Sequence, residues 1–261
     1  VSLLRIEVDA EGLLSRHLTD LERTQLPFAA MQAANATAVE IRQTWARTAP
    51  RVFYRPTPMT TRAAQYLKAT KQKPYAEIFL RDEAFKGTPP AKYLFPQVEG
   101  GPRRDKGFEN LLQRSGILMA DQQAVPGRGA VLDAFGNISG GQLNQILSQL
   151  GSRSDLYTNE SAVSRKRRHS REARREIRRS DFFAVREKSG HLRPGIWQRD
   201  RMRAGKGSGV WLVLAFVKRA AYRPRYDIFG LAQRTWNRIM PFHFARELEK
   251  AVQNARLRGR G

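Results

Sequence analysis

Nine basic side chains, Arg165, Lys166, Arg167, Arg168, Arg171, Arg174, Arg175, Arg178 and Arg179, fall within fifteen residues that hold only two acids, Glu172 and Glu176. The local charge is +7, and the chemistry such a run offers is neutralisation of phosphate or carboxylate. Only Ala173 and Ile177 could anchor it. The segment therefore reads as a solvated helix or as an arm that orders on an anion. Genomic DNA and an acidic protein neighbour are both suitable partners, and a merely solvated face is the bland alternative.

Bond-making chemistry is harder to find. The four histidines, His17, His169, His191 and His243, are scattered without an HExxH pair, and the absence of cysteine removes disulfides, thiol nucleophiles and Cys-containing metal sites. His17 reads as a core residue of the first helix and His169 as one more member of the basic surface. Gly205-Lys206-Gly207-Ser208-Gly209 departs from a phosphate-binding loop at Asp200 and Gly207 and precedes a strand, so it reads as a hairpin turn. Glu77, Asp82 and Glu83, or Asp181 with Glu187 and Lys188, could serve a Mg²⁺-dependent nuclease. Adjacent Glu187 and Lys188 would point to opposite faces of a strand, and no serine sits in a Gly-x-Ser-x-Gly elbow. The expectation is no catalytic residue, no metal and no cofactor. The enzyme alternative is the nuclease or another DNA-processing activity, and a further alternative is a nonspecific nucleic-acid-binding protein of the host chromosome or ribosome.

The whole chain repeats the bias of its basic run. Among 261 residues, 47 Lys and Arg face 24 Asp and Glu, a net +23. Such an excess repels itself unless something anionic shares the working environment. At 41% hydrophobic and 9% aromatic the chain is still able to bury a core in one domain or two. The start at Val1 suggests a removed initiator Met, and the charges at Arg5, Glu7 and Asp9 spoil a secretory signal. The longest apolar run, residues 210–217, is far too short to cross a bilayer, so no membrane role is expected.

The elements that would position these groups are legible from periodicity. Leu4, Ile6 and Val8 alternate as a strand does, and Leu14, Leu18 and Leu21 suggest a helix over residues 10–22 that Pro27 stops. Met31, Ala34, Ala38, Ile41 and Trp45 form one stripe on a second helix, from Pro27 to before Pro50. Residues 51–61 read as loop, 75–80 as strand, 86–104 as turns and 105–114 as helix. Ser139 is a candidate N-cap for a helix burying Leu143, Ile146, Leu147 and Leu150. Residues 182–185, 195–198 and 210–217 read as an antiparallel meander with the last as its central strand, and residues 228–256 as a helix that Pro241 should kink or split. The expected class is α+β: an antiparallel β-meander packed with N-terminal and C-terminal helices, with long extended loops. The expected division is 1–151, a helical half with Pro/Gly-rich loops; 152–179, a basic linker or arm; and 180–261, the meander with the last helix, all composing one body.

The aromatics divide the same way. Trp45, Trp197, Trp211 and Trp236 lie on periodic segments and read as packing residues. Phe53-Tyr54-Arg55 stands in a Pro-rich loop and is freer to meet a partner.

Lys92-Tyr93-Leu94-Phe95-Pro96-Gln97-Val98-Glu99-Gly100-Gly101, followed by Arg103, Lys106, Phe108 and Glu109, then Val125-Pro126-Gly127, Leu132-Asp133-Ala134-Phe135-Gly136-Asn137 and Gln145-Ile146-Leu147-Ser148, make an ordering that resembles tailed-bacteriophage tail and neck proteins of the minor tail protein Z or tail-completion kind. The Ala-rich helix, Arg193-Pro194-Gly195-Ile196-Trp197 and Tyr222-Arg223-Pro224-Arg225-Tyr226 extend the likeness over most of the chain. The resemblance implies a virion structural protein at the tail or head–tail junction, assembled from the host cytoplasm. It would be repeated in a ring beside the DNA channel, with other tail or neck proteins as partners. Head-to-tail rings require two complementary surfaces per subunit. Loops carrying Phe53, Tyr54, Arg55, Tyr93, Phe95, Pro96, Arg103 and Arg104 are the expected docking elements.

Overall fold

The computed structural model describes residues 4–6, 19–70, 72–73, 75–85, 87–174, 179–201, 209–219 and 221–258, the side chains of 4–6, 20–22, 172–174, 179–180, 200–201 and 258 excepted. It is 49% helical and 20% strand, with antiparallel sheets and long helices near both ends, which is the α+β class. In chain order the first elements are β1 (Leu4–Ile6), α1 (Asp20–Val52), α2 (Pro58–Thr61), β2 (Ala64–Leu67), β3 (Ala76–Leu80) and α3 (Pro90–Val98). Then come β4 (Gly101–Pro102), α4 (Gly107–Arg114), β5 (Gln122–Pro126), α5 (Gly140–Gln149) and α6 (Ala162–Arg174). The last are β6 (Arg179–Val185), β7 (Gly195–Arg201), β8 (Gly209–Lys218), β9 (Ala221–Tyr222) and α7 (Ile228–Arg258).

The chain makes two compact units, residues 1–100 with 222–261, and residues 101–221. The boundaries expected at 151/152 and 179/180 both fall inside the second unit.

In the first unit α1 and α7 pack along each other. Leu26, Ala29, Ala30 and Ala33 meet Met240, Phe244, Leu248 and Val252, the small residues of α1 letting the α7 side chains approach. A second cluster joins Ile41, Trp45 and Ala49 to Ile78 and Leu80 of β3, in a sheet of order β1-β3-β2. Three prolines lie inside these helices, Pro27 and Pro50 in α1 and Pro241 in α7, so α1 runs to Val52 instead of ending before Pro50 as expected. Pro27 neither stops a first helix nor starts a second; α1 passes through it, and residues 10–18 lie outside the described residues. α7 likewise continues through Pro241 as one helix. A helix-interior proline costs about 3 kcal/mol, and burial of each large apolar side chain returns about 1.5–3 kcal/mol. Leu26 beside Pro27, and Met240 and Phe244 around Pro241, are all buried, so packing outweighs the lost backbone bonds. Two stretches expected as irregular also hold helix. α2 lies within residues 51–61, and α3 starts where Pro89 and Pro90 supply the extended and first-turn geometries a helix start uses.

In the second unit the sheet order is β5-β8-β7-β6, every pairing antiparallel. The meander of β6, β7 and β8 and the central place of β8 match expectation; β5, whose Gln122-Gln123 start hides it from a hydrophobicity count, adds the fourth strand. α4 and α5 cover one face with Leu112, Ile146 and Leu147 over Phe182, Ile196, Leu214 and Phe216. Ser139 caps α5, its Oγ accepting from the Gln142 N–H at 3.3 Å. A register shift at Ile196/Trp197 gives β8 one extra residue, so the consecutive Val213 and Leu214 both enter that core.

The second unit is also pinned by a buried carboxylate. Glu109 on α4 is fully buried and accepts from Arg103 at 2.6 and 2.7 Å, from the Lys106 N–H at 2.7 Å and from the Ala124 N–H at 2.8 Å. One side chain thereby ties residues 103–106, α4 and β5 together. Burial opposes its charge, but the Arg103 guanidinium and the two backbone donors hold its carboxyl below the usual glutamate range.

Candidate anion-binding helix and docking surfaces

As far as Arg174 the basic run is helix, one of the two forms expected for it, and Arg179 begins β6. Ser161 Oγ accepts from the Ser164 N–H at 3.1 Å while Ser164 Oγ accepts from the Ser161 N–H at 2.8 Å, a reciprocal cap that starts α6. At 3.6 residues per turn, Arg165, Arg168 and His169 share one side of the helix. Arg168 donates to Glu160 at 2.7 Å and to Asp181 of β6 at 2.8 Å, Arg165 reaches Glu160 at 3.2 Å, and His169 Nε2 lies 3.0 Å from Asp181 Oδ1. Burial works against the Glu160 charge, but Arg168 and Arg165 keep its carboxyl below the glutamate range. Asp181, opposed by burial in the same way, is kept below the aspartate range by Arg168 and His169.

The nine residues are therefore not equivalent. Arg168, with its side chain mostly covered, is a structural clamp, and His169 belongs to the same network instead of adding to a free basic surface. Lys166, Arg167 and Arg171 are exposed and make no ion pair among the described residues. Arg175 and Arg178 lie outside the described residues, as do the side chains of Arg174 and Arg179. Sequence reasoning missed Glu160 and Asp181 as partners; only the Ser161-x-x-Ser164 spacing signalled where the helix begins.

The expected docking residues also separate. Phe53 packs edge-on to Tyr226 with centroids 5.2 Å apart and lies under Arg225, so it serves the core of the first unit instead of a free loop. Tyr93 is half-buried on α3, its hydroxyl 3.0 Å from Thr60 Oγ1; burial raises its pKa above the usual tyrosine value. Pro96 is buried on α3, and Arg103 is held by Glu109. Tyr54, Arg55, Phe95 and Arg104 remain exposed, the Arg55 guanidinium 5.2 Å from the Tyr54 ring centre. The stretch 132–137 forms a tight turn in which Asp133 Oδ1 accepts from the Phe135 and Asn137 N–H groups at 2.9 Å, leaving Leu132 and Phe135 exposed.

The carboxylates weighed for metal chemistry are not gathered. Glu77 is half-buried on β3 opposite Arg5 and Leu67, whereas Asp82 and Glu83 line a surface pocket of about 780 Å³ with Arg81 and Lys92, a lining that does not include Glu77. Asp181 serves α6, and Glu187 with Lys188 lies six residues further, about 20 Å along an extended chain. No group of three His, Asp or Glu among the described residues could hold a metal. Of the histidines, His17 lies outside the described residues, as do residues 205–208 of the expected Gly-Lys hairpin turn. His243 is buried on α7 with neither ring nitrogen bonded; desolvation, with Arg246 adding to it, lowers its pKa. Trp45 is core and Trp236 packs against it, while Trp211 is half exposed. Among the described residues no helix is long and apolar enough to cross a membrane. No family model matches the chain, and no curated protein or solved structure is significantly similar to it.

Proposed function

We infer that the protein is a non-enzymatic structural subunit of a tailed-phage virion, of the tail-completion or head–tail junction kind, which docks its neighbours and sets α6 against DNA or another polyanion. The observation that carries the anion-binding part is the split of α6. Arg168 is spent on Glu160 and Asp181, and in being spent it fixes a helix whose opposite side offers Lys166, Arg167 and Arg171 with no carboxylate partner among the described residues. A clamped helix presents those cations without the ordering cost of a loose arm. The ordering of the turn motifs, with its likeness to tail and neck proteins, supports the assembly part, and the second unit alone carries 24 Lys and Arg against 11 Asp and Glu. Lys and Arg neutralise phosphates without reading bases, which suits a surface past which any genome travels.

Titration of the purified chain with duplex DNA over a series of salt concentrations tests the anion-binding part. Replacing Lys166, Arg167 and Arg171 by Gln should lower the log–log salt slope by up to about 0.9 per lost phosphate contact. An unchanged slope removes DNA from the role of α6. The assembly part predicts that the chain co-purifies with phage particles; a chromosomal protein would not.

A further inference from the structure

The sheet of the second unit has a second face that no core cluster of the described residues uses. Register places Phe183, Trp197, Leu212, Ala215, Val217 and Val125 on that face, away from α4 and α5. None of the six belongs to a hydrophobic cluster, and Val125, Val217 and the adjoining Val210 are each more than a third exposed. The same register places buried Gln123 and Val185 on this face, and Asp181, which holds α6. Its open apolar part therefore lies around Val125, Val217 and Val210, with part-exposed Trp197, Leu212 and Ala215 beside them. Exposed apolar surface of this kind marks an interaction site.

Its borders are cationic. Arg186 follows β6, Arg193 precedes β7 and Lys218 ends β8, so antiparallel pairing brings all three to one end of the sheet, where they are exposed and without an ion pair among the described residues; with Lys188 they outnumber the exposed Glu187 and Asp121 at that end. At the other end Arg199 lies 5.1 Å from the Phe183 ring centre. We propose that this face docks a partner protein through an apolar surface bordered by Asp and Glu. A second copy of the chain would bring like-charged borders together. Stacked bases fit less well, because Arg199 already occupies one side of Phe183, Trp197 is mostly covered with its Nε1 committed to the Arg193 carbonyl at 3.0 Å, and the most exposed members are aliphatic. The proposal rests on the assembly reading for what would supply such a partner, and it uses none of Lys166, Arg167 and Arg171.

The experiment uses the full chain and two peptides of identical Leu, Ala and Glu content, one an amphipathic helix with an acidic border and the other scrambled. Binding is followed by tryptophan fluorescence and calorimetry. The amphipathic peptide should bind at least about tenfold more tightly than the scrambled one. V125T/V217T, which keeps β-branched side chains on the strands but removes apolar surface, should lose about tenfold of that affinity at an unchanged melting temperature. K166Q/R167Q/R171Q should retain it, so failure of the α6 reading and failure of this one are told apart. Several results overturn the proposal: no binding, equal binding of the two peptides, full binding by V125T/V217T, or loss of binding in the α6 variant. Loss of oligothymidylate binding in V125T/V217T would assign the face to nucleic acid instead. Self-association of the wild-type chain that V125T/V217T abolishes would assign it to a second copy.

Discussion

Two arginine–carboxylate clamps in the second unit differ in what they enclose. Arg103 meets Glu109 inside the unit, where the carboxylate has no exposure and all of its acceptor capacity goes to holding residues 103–106, α4 and β5 together. Arg168, about as covered as Arg103, meets a mostly buried Glu160 and a one-third exposed Asp181, and secures one helix to one strand; Arg165 and His169 reach the same two carboxylates. A buried pair is strongly destabilising to break because the surviving charge is stranded. Removal of Arg168 would still leave Glu160 with Arg165 and Asp181 with His169, so neither carboxylate is stranded. The first clamp therefore serves stability, and the second serves the placement of the cations beside it.

The comparison breaks most sharply at Glu109. Glu109→Gln should destabilise the second unit by about 3–5 kcal/mol, since Arg103 keeps its charge in a mostly buried place. Thermal unfolding, with amide exchange of α4 and β5 as the local reporter, reads the loss. A cost below about 1 kcal/mol would show that the first clamp is no stronger than the second.

Acid supplies the same test without a mutation. The folded pKa of Glu109 is depressed, so its contribution is fully present above the unfolded glutamate value, about 4.3, and is lost as pH falls through the lower folded value. Wild type should lose stability below about pH 4 more steeply than Glu109→Gln does. Glu160, Asp181 and Glu247 are depressed in the same direction and will leave a residual slope in the variant.

The second clamp should give a smaller effect. Arg168→Met should cost about 1–2 kcal/mol, while amide protection falls along α6 and stays unchanged in α4. Equal loss in both helices would mean that the two clamps act as one network.

Little of this difference is visible in the sequence. Alternation located β1 and β3, Ser139 announced α5, and the apolar run of β8 placed the central strand, because each is a local signal. α3 was hidden by Pro89, Pro90 and Pro96, which as single residues read as turns but in order start and tolerate a short helix. The passage of α1 through Pro27 depends on α7, two hundred residues away. The basic run was legible as charge, but which arginine turns inward depends on Asp181, thirteen residues from Arg168 and on a different element. Charge density can be counted along a chain, whereas charge pairing is decided by the fold.

The smallest effect sharpens the comparison furthest, because its sign is opposite. Lys166, Arg167 and Arg171 have no internal partner among the described residues, so replacing them with Gln removes no attractive contact and relieves repulsion within a unit of net charge +13. K166Q/R167Q/R171Q should therefore raise stability at low salt by less than about 0.5 kcal/mol. The gain should vanish toward 1 M salt, where the screening length shrinks to about 3 Å. Chemical denaturation with urea, which leaves ionic strength unchanged, at low and high salt reads both numbers. A loss of stability instead would mean that these three cations are held by the protein as Arg168 is, and α6 would then have nothing left to offer a partner.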